Sequence, residues 1–363
     1  MIPMVDLRRQ YESIKTEIDA AIGEVLGKTQ FILGPNVAEL EREIAGFHDV
    51  SHAVGVANGT DALLLALRAC DIRQDDEVIT TPFTFIATAE VIGLLRARPV
   101  FVDIKPGTFN IDPALIEKKI TARTRAIIPV HLFGHPADMD PVMDISRRYG
   151  LRVIEDCAQA FGALYRGRKV GSIGDFGCFS FFPSKNLACY GDGGMVITGN
   201  QDMAEKIRIL RNHGGRVKYY HDVLGYNSRL DEIQAAVLRV KLRRIEAWNE
   251  GRRRAAALYR TFIRREDIIL PDEAPDCTHV YHQFTIRSTG RDRIMSDLSS
   301  RGIASAVYYP VPLHLQKVFA GLGEEGPLQV SERSAAEVLS LPMFPEITEE
   351  EIRRVSDVIN RAV

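Results

Sequence analysis

The residue with the most distinctive chemistry is Lys185, which follows the apolar and aromatic residues 176–182 and precedes a glycine-rich turn at residues 191–194. A lysine at the end of a buried strand loses part of its hydration, which lowers its pKa and frees the amine to attack a carbonyl carbon. The residue types and their order therefore suit a Schiff-base lysine. Taken alone, however, the segment favours an ordinary lysine whose ammonium group reaches back to water.

A second candidate site lies where Asn58, Gly59 and Thr60 follow a predicted strand and open a predicted helix. Gly59 would let an anion approach the backbone, and the helix amides and the Thr60 hydroxyl could donate to a phosphate. An ordinary helix N-cap explains the same residues and is favoured in isolation. The segment lacks the G-x-G-x-x-G pattern, so it does not predict a dinucleotide site.

An aromatic ring and a carboxylate follow two further predicted strands. Phe85 could stack on a flat heteroaromatic ligand, although a core phenylalanine is the alternative. Asp156 could hold a heterocyclic nitrogen protonated, although a helix cap or a salt-bridge partner fits equally well. Pyridoxal 5'-phosphate (PLP) requires these four groups together. The cradle would bind its phosphate, the aromatic residue would stack on its ring, the acid would pair with its nitrogen and the lysine amine would react with its aldehyde, so the sequence predicts a PLP site.

The elements that must position these residues form an alternating pattern from about residue 50 to residue 200. Several β-branched runs are apolar at consecutive positions, as expected for strands covered on both faces. The alternation predicts an α/β domain with a mostly parallel, seven-stranded sheet, whose strand ends would gather the candidate residues in one crevice. The predicted strands are residues 53–57, 77–81, 99–104, 126–131, 152–155, 178–182 and 195–198.

The remaining pattern predicts helices and a second domain. Beyond residue 245 the pattern changes, so we predict a large domain over residues 1–245 and a smaller α+β domain over residues 246–363. The predicted helices of the large domain are residues 60–69, 88–97, 138–149 and 229–249, with another following the last one closely. The predicted elements of the small domain are a strand at 279–288, a helix at 294–301, a strand at 305–309 and a helix at 349–362.

Composition narrows the function class. The net charge is −2 and the basic residues form no stripe, which argues against nucleic acid as a partner. Residues 1–15 lack the apolar block of a signal peptide, and no apolar run is long enough to cross a bilayer. The five cysteines are scattered, which favours free thiols in the cytoplasm. The nine histidines show no ligand spacing, so no metal site is expected.

The chain resembles the DegT/DnrJ/EryC1/StrS family of sugar aminotransferases, which have the aspartate-aminotransferase-like (fold type I) architecture. The resemblance extends along nearly the whole chain. It rests on the segments 5–7, 31–35, 58–63, 81–85, 155–159, 179–186, 227–236 and 341–343.

The resemblance implies a PLP-dependent aminotransferase that moves an amino group from L-glutamate to a nucleotide-linked keto-sugar. Pyridoxamine 5'-phosphate would be the intermediate form of the cofactor, and the product an amino-sugar for polysaccharide or glycoside biosynthesis. The family is homodimeric, with each site completed by the partner subunit. The implied roles are Lys185 as the Schiff-base residue, Asp156 at the ring nitrogen, Phe85 stacked on the ring, Gln159 near the ring hydroxyl, Gly59, Thr60 and Ser180 at the phosphate, Asn227 at the phosphate in trans, and Arg229 as a carboxylate clamp.

The segments 212–221 and 308–314 resemble those of family members that aminate C3 of a UDP- or dTDP-linked 3-keto hexose. They contain His213, Tyr309 and His314, which we predict to bind substrate. Amination at C4 of a 4-keto-6-deoxy sugar remains an alternative, and so does a plain surface loop.

Three other functions fit these residues less well. A PLP-dependent sugar dehydratase is disfavoured because histidine occupies the position of Lys185 in that branch. A cysteine desulfurase would need an exposed, reactive cysteine, whereas Cys157 and Cys178 lie within or beside apolar predicted strands. A non-catalytic PLP-binding regulator is disfavoured by the intact site but stays open.

Overall fold

The computed structural model describes residues 1–321 and 326–362. The helices are α1 (Leu7–Lys28), α2 (Pro35–His48), α3 (Gly59–Ala69), α4 (Ala87–Leu94), α5 (Pro113–Ile116), α6 (Met139–Tyr149), α7 (Gln201–Arg211), α8 (Glu232–Leu242), α9 (Ile245–Phe262), α10 (Arg291–Ser300), α11 (Gln329–Glu337) and α12 (Glu349–Arg361). The strands are β1 (His52–Val56), β2 (Glu77–Thr80), β3 (Arg98–Phe101), β4 (Thr124–Ile128), β5 (Arg152–Asp156), β6 (Leu164–Tyr165), β7 (Arg168–Lys169), β8 (Phe176–Ser180), β9 (Gly194–Thr198), β10 (Cys277–Thr278), β11 (Phe284–Arg287) and β12 (Val338–Leu341).

Seven strands form one central sheet in the order β1-β9-β8-β5-β4-β2-β3. The pairs from β8 through β5, β4 and β2 to β3 are parallel, and β9 runs antiparallel to both of its neighbours. This sheet confirms the predicted α/β class, and each of its strands overlaps a predicted one.

Both faces of the sheet are covered, as the consecutive apolar residues of its strands predicted. Successive residues of one strand enter different clusters: Ile127 and Val153 lie in one, whereas Ile128 and Ile154 lie in the other. A strand buried on both faces can expose functional side chains only at its end. The parallel strands end at one edge, and there the chain continues into the segments that carry the candidate residues.

The C-terminal part has its own apolar cluster, formed mainly by α9, α10, α12 and the two-stranded sheet of β11 and β12. Ile2 from the amino terminus packs into the same cluster. The division of the chain at residue 245 stays a prediction.

Two predicted elements differ from the structure. The helix predicted at 229–249 is divided into α8 and α9, with a break at residues 243–244. The strand predicted at 305–309 is reduced to a bridge between residues 306 and 340, beside the short strand β12.

Among the described residues, every helix is too short or too polar to span a bilayer.

Candidate active site

Lys185 lies five residues beyond the last residue of β8, where the chain leaves the carboxyl edge of the sheet. Its amine has no hydrogen-bond partner among the residues that the structure describes. Protein surrounds it on most sides, and this burial lowers the pKa of Lys185 to about 8, against the charge of Asp156, which raises it. A lowered pKa is what a nucleophilic amine requires, and the catalytic role of Lys185 stays a prediction.

Asp156 ends β5 and is 5% exposed. Thr88 donates a hydrogen bond to its Oδ2 at 2.8 Å, and the Ala158 amide donates to its Oδ1 at 3.1 Å. Burial raises the pKa of Asp156, while these two donors and the charge of Lys185 lower it. The carboxyl is thus held rigidly within electrostatic range of Lys185.

Gln159 connects the site to Tyr309. Its Oε1 accepts from the Phe133 amide at 2.7 Å, and its Nε2 donates to the Tyr309 hydroxyl at 3.0 Å. The Tyr309 ring centroid lies 6.3 Å from that of Phe85, which is 56% exposed. An aromatic ring left uncovered at a strand end suits a stacking surface for a flat ligand.

The start of α3 forms the opposite end of the site. Asn58 caps the helix by accepting from the Asp61 amide at 2.8 Å, so the simple N-cap interpretation of this residue is correct. The amides of Gly59 and Thr60 have no partner within the helix and no hydrogen bond to another described residue, so they can bind an anion. A methyl group added at Gly59 would lie 2.6 Å from Cβ of Ser180, so only glycine lets the helix approach this serine so closely.

The segment after Lys185 is anchored to two other parts of the chain. Nδ2 of Asn186 donates to Oδ1 of Asn249 in α9 at 2.9 Å and to the carbonyl of Val280 at 3.0 Å. His282, two residues after Val280, is 5% exposed. Its Nδ1 has no hydrogen-bond partner among the described residues. Burial and the charge of Lys185 lower the pKa of His282 well below its usual value, so its ring is neutral.

Glu155, which precedes Asp156, has a structural role. Its carboxylate accepts from the amides of residues 171, 173 and 174 and contacts His131 Nε2 at 3.0 Å. Burial by itself raises the pKa of Glu155, but these hydrogen bonds outweigh it, so the pKa of Glu155 is lowered. Ligand-type atoms of His131, Glu155 and Cys157 lie within 4.8 Å of one another, and this hydrogen bonding explains their proximity without an ion.

The described contacts of four other predicted site residues do not include Lys185. Asn227 and Arg229 line a pocket of about 480 Å³ together with Ala57, and Lys185 is not among its described lining residues. His213 lies nearby on an exposed loop, where its amide donates to the carbonyl of residue 226. His314 contacts Glu332 at 3.1 Å and packs near Phe101.

These residues fit PLP. The free helix amides and Ser180 suit its phosphate, the uncovered Phe85 ring suits its pyridine ring, and Asp156 and Lys185 suit its nitrogen and aldehyde. The close approach of Gly59 to Ser180 leaves the helix amides beside the serine hydroxyl, as a phosphate site requires.

Sequence reasoning missed Thr88 and His282. Thr88 had a usable signal, because Thr84 and Thr88 are four residues apart after β2 and so share one face of a helical turn. His282 had none, since a tertiary contact alone brings residues 280–283 to the Lys185 segment.

The sequence matches the profile of the DegT/DnrJ/EryC1/StrS aminotransferase family over residues 12–360. A curated protein of Acidithiobacillus ferrooxidans named UDP-N-acetyl-3-dehydro-alpha-D-glucosamine 3-aminotransferase is 53% identical over 362 residues, covering 100% of this chain and 98% of that protein. A protein of Geobacillus stearothermophilus named pleiotropic regulatory protein is 51% identical over 362 residues, covering 99% of this chain and 97% of that protein.

Among solved structures, S. venezuelae DesV in complex with a ketimine intermediate has a TM-score of 0.96 and 46% identity, covering 99% of this chain and 97% of that chain. Agreement over almost the full length of both chains confirms the predicted fold-type-I architecture.

Proposed function

Since the chain belongs to the DegT/DnrJ/EryC1/StrS aminotransferase family and is a PLP-dependent enzyme, we propose that it transfers an amino group from L-glutamate to C3 of a UDP- or dTDP-linked 3-keto hexose. The product would be a nucleotide-linked amino-sugar for polysaccharide or glycoside biosynthesis. The observation that carries the proposal is Lys185, partly buried beside Asp156 at the carboxyl edge of the sheet. The 53% identity to the Acidithiobacillus 3-aminotransferase supports C3 as the position aminated.

The chain's own residues divide the chemistry between them. When bound, PLP supplies an aldehyde that takes up the amino group and a ring that accepts electrons. Lys185 Nζ would hold the cofactor through its aldehyde carbon, and the same amine would carry a proton to and from the reacting carbon. Asp156 keeps the ring nitrogen protonated, and Phe85 would hold the ring in place.

Substrate binding follows from the remaining predicted residues. Tyr309, placed by Gln159, lies close enough to Phe85 to contact a sugar bound above the ring. Arg229 would bind a carboxylate, and His213 and His314 are proposed to contact the sugar nucleotide. We further propose that the enzyme acts in the cytoplasm as a homodimer in which Asn227 and Arg229 complete the partner's site.

Addition of L-glutamate without a sugar tests the reaction class. The PLP-loaded protein should lose the visible band of its lysine-bound cofactor and gain the band of pyridoxamine 5'-phosphate, whereas Lys185→Ala should form no such lysine-bound band. Recovery of the band with a UDP-linked 3-keto sugar, and none with a 4-keto-6-deoxy sugar, would support amination at C3. The reverse preference would assign C4 instead.

A second candidate function is a PLP-binding regulator, which the name of the Geobacillus relative favours. In that case the visible band would form with wild type and remain unchanged after glutamate is added. The same experiment therefore separates the two functions.

A further inference from the structure

The hydroxyls of Thr84 and Thr88 form a chain that ends on the carboxyl group of Asp156. We propose that this chain is a positioning device that keeps Asp156 in place for the cofactor's ring nitrogen in both protonation states of the carboxyl. The inference rests on the PLP assignment within the proposed function, and it is independent of the sugar and of the carbon aminated.

The two hydrogen bonds of this hydroxyl chain are continuous and buried. Thr88 Oγ1 lies 2.8 Å from Asp156 Oδ2, and Thr84 Oγ1 lies 3.2 Å from Thr88 Oγ1. Thr84 is 3% exposed and Thr88 is 1% exposed, so bulk water does not compete for these hydroxyls. Within residues 1–321 and 326–362, Thr84 Oγ1 has no other hydrogen-bond partner, and the chain ends there.

Each hydroxyl has a single proton to donate, so the protonation state of Asp156 decides which group donates in each hydrogen bond. When Asp156 is a carboxylate, Thr88 donates to Oδ2 and accepts from Thr84. When Oδ2 carries a proton, Asp156 donates to Thr88, and Thr88 donates to Thr84. Both hydrogen bonds persist in both states, and only the hydroxyl protons rotate.

Opposed effects act on the protonation of the Asp156 carboxyl group. The charged and titratable groups around it are Lys185, His131, Tyr309 and the thiols of Cys157 and Cys178. Lys185 and burial act in opposite directions on the carboxylate, and burial raises the pKa of Asp156 in the protein alone. A protonated ring nitrogen would add a second cationic group and favour the carboxylate. The hydroxyl chain lets this change occur without breaking a contact to the acid.

The test measures equilibrium PLP binding by cofactor fluorescence in Thr88→Val and Thr88→Ser. Valine keeps the shape of threonine but removes the donor, so the dissociation constant should rise roughly tenfold, the usual effect of losing a hydrogen bond to a charged group. Serine keeps the hydroxyl and should bind PLP like wild type. Thr84→Val keeps the donor to Asp156 and should instead shift the midpoint of the pH titration of the visible band.

A double-mutant cycle with Asp156→Asn excludes a merely structural effect. If Thr88 acts through the Asp156 charge, Thr88→Val should cost little further affinity in the protein that already carries Asp156→Asn. Equal losses with and without the Asp156→Asn substitution, or a serine variant as weak as valine, would overturn the proposal. Failure of wild type to bind PLP would instead overturn the cofactor assignment. If Thr88→Val does not fold, an unshifted band titration in Thr84→Val overturns it as well.

Discussion

At the scale of the residue, the site depends on opposed shifts in two neighbouring groups. Burial lowers the pKa of Lys185 to about 8 and raises that of Asp156, so burial opposes the charged form of both groups. A lysine with a pKa near 8 has about one amine in four neutral at pH 7.5, against about one in a thousand at its ordinary pKa. The nucleophile is thus available at neutral pH.

We expect the rate at which the cofactor-free protein captures PLP to rise with pH around a midpoint near 8, because only the neutral amine attacks the aldehyde. Stopped-flow absorbance of the visible band between pH 6.5 and pH 10 measures it. Asp156→Asn should move the midpoint to lower pH, since the Asp156 charge raises the pKa of Lys185. A midpoint at the ordinary lysine pKa would contradict the burial argument, and Lys185→Arg, which stays protonated, serves as the inactive control.

At the scale of the element, the phosphate end depends on how closely α3 approaches the end of β8. Gly59→Ala would place Cβ 2.6 Å from Cβ and 3.1 Å from Cα of Ser180, so the start of the helix must shift. We expect weaker PLP binding and a weaker competing effect of inorganic phosphate, measured by fluorescence titration.

Gly46→Ala is the matched control for that substitution. Gly46 lies in α2, and nothing lies within 4 Å of an added Cβ there. Alanine should leave PLP affinity unchanged and stabilise the helix by about 0.5–1 kcal/mol, measured by thermal unfolding. Unchanged PLP affinity in Gly59→Ala would show that the close contact with Ser180 does not shape the phosphate site.

At the scale of the whole molecule, Asn227 and Arg229 line a pocket whose described lining does not include Lys185, and the proposed dimer would place both residues in the partner's site. Exposed apolar side chains lie on the same region, among them Ile32, which lines the pocket, and Tyr220 and Leu224 on the neighbouring loop. Apolar exposure of this extent is typical of a surface that another chain covers.

Mixing two inactive variants tests this arrangement. If Asn227 acts in trans, heterodimers of Lys185→Ala and Asn227→Ala contain one intact site, and a mixture at equilibrium should recover about a quarter of wild-type activity. Each variant alone supplies the baseline, and size-exclusion chromatography with light scattering gives the assembly state. A mixture no more active than its components would place Asn227 in the site of its own subunit.

The sequence by itself determined the sheet, because seven strands buried on both faces must be apolar at consecutive positions and must alternate with helices. It also determined Lys185, Asp156, Phe85 and the Gly59 turn as candidates, since a strand end is where such a sheet can expose chemistry. The resemblance of the ordered motifs to one family then identified the cofactor, and the family match confirmed it.

Only the tertiary structure decided how these residues support one another. The bond from Thr88 to Asp156 spans 68 residues, and the bond from Gln159 to Tyr309 spans 150. Local patterns record burial and backbone preference, whereas these features depend on which distant segments pack together, and that is settled only when the whole chain closes around the site.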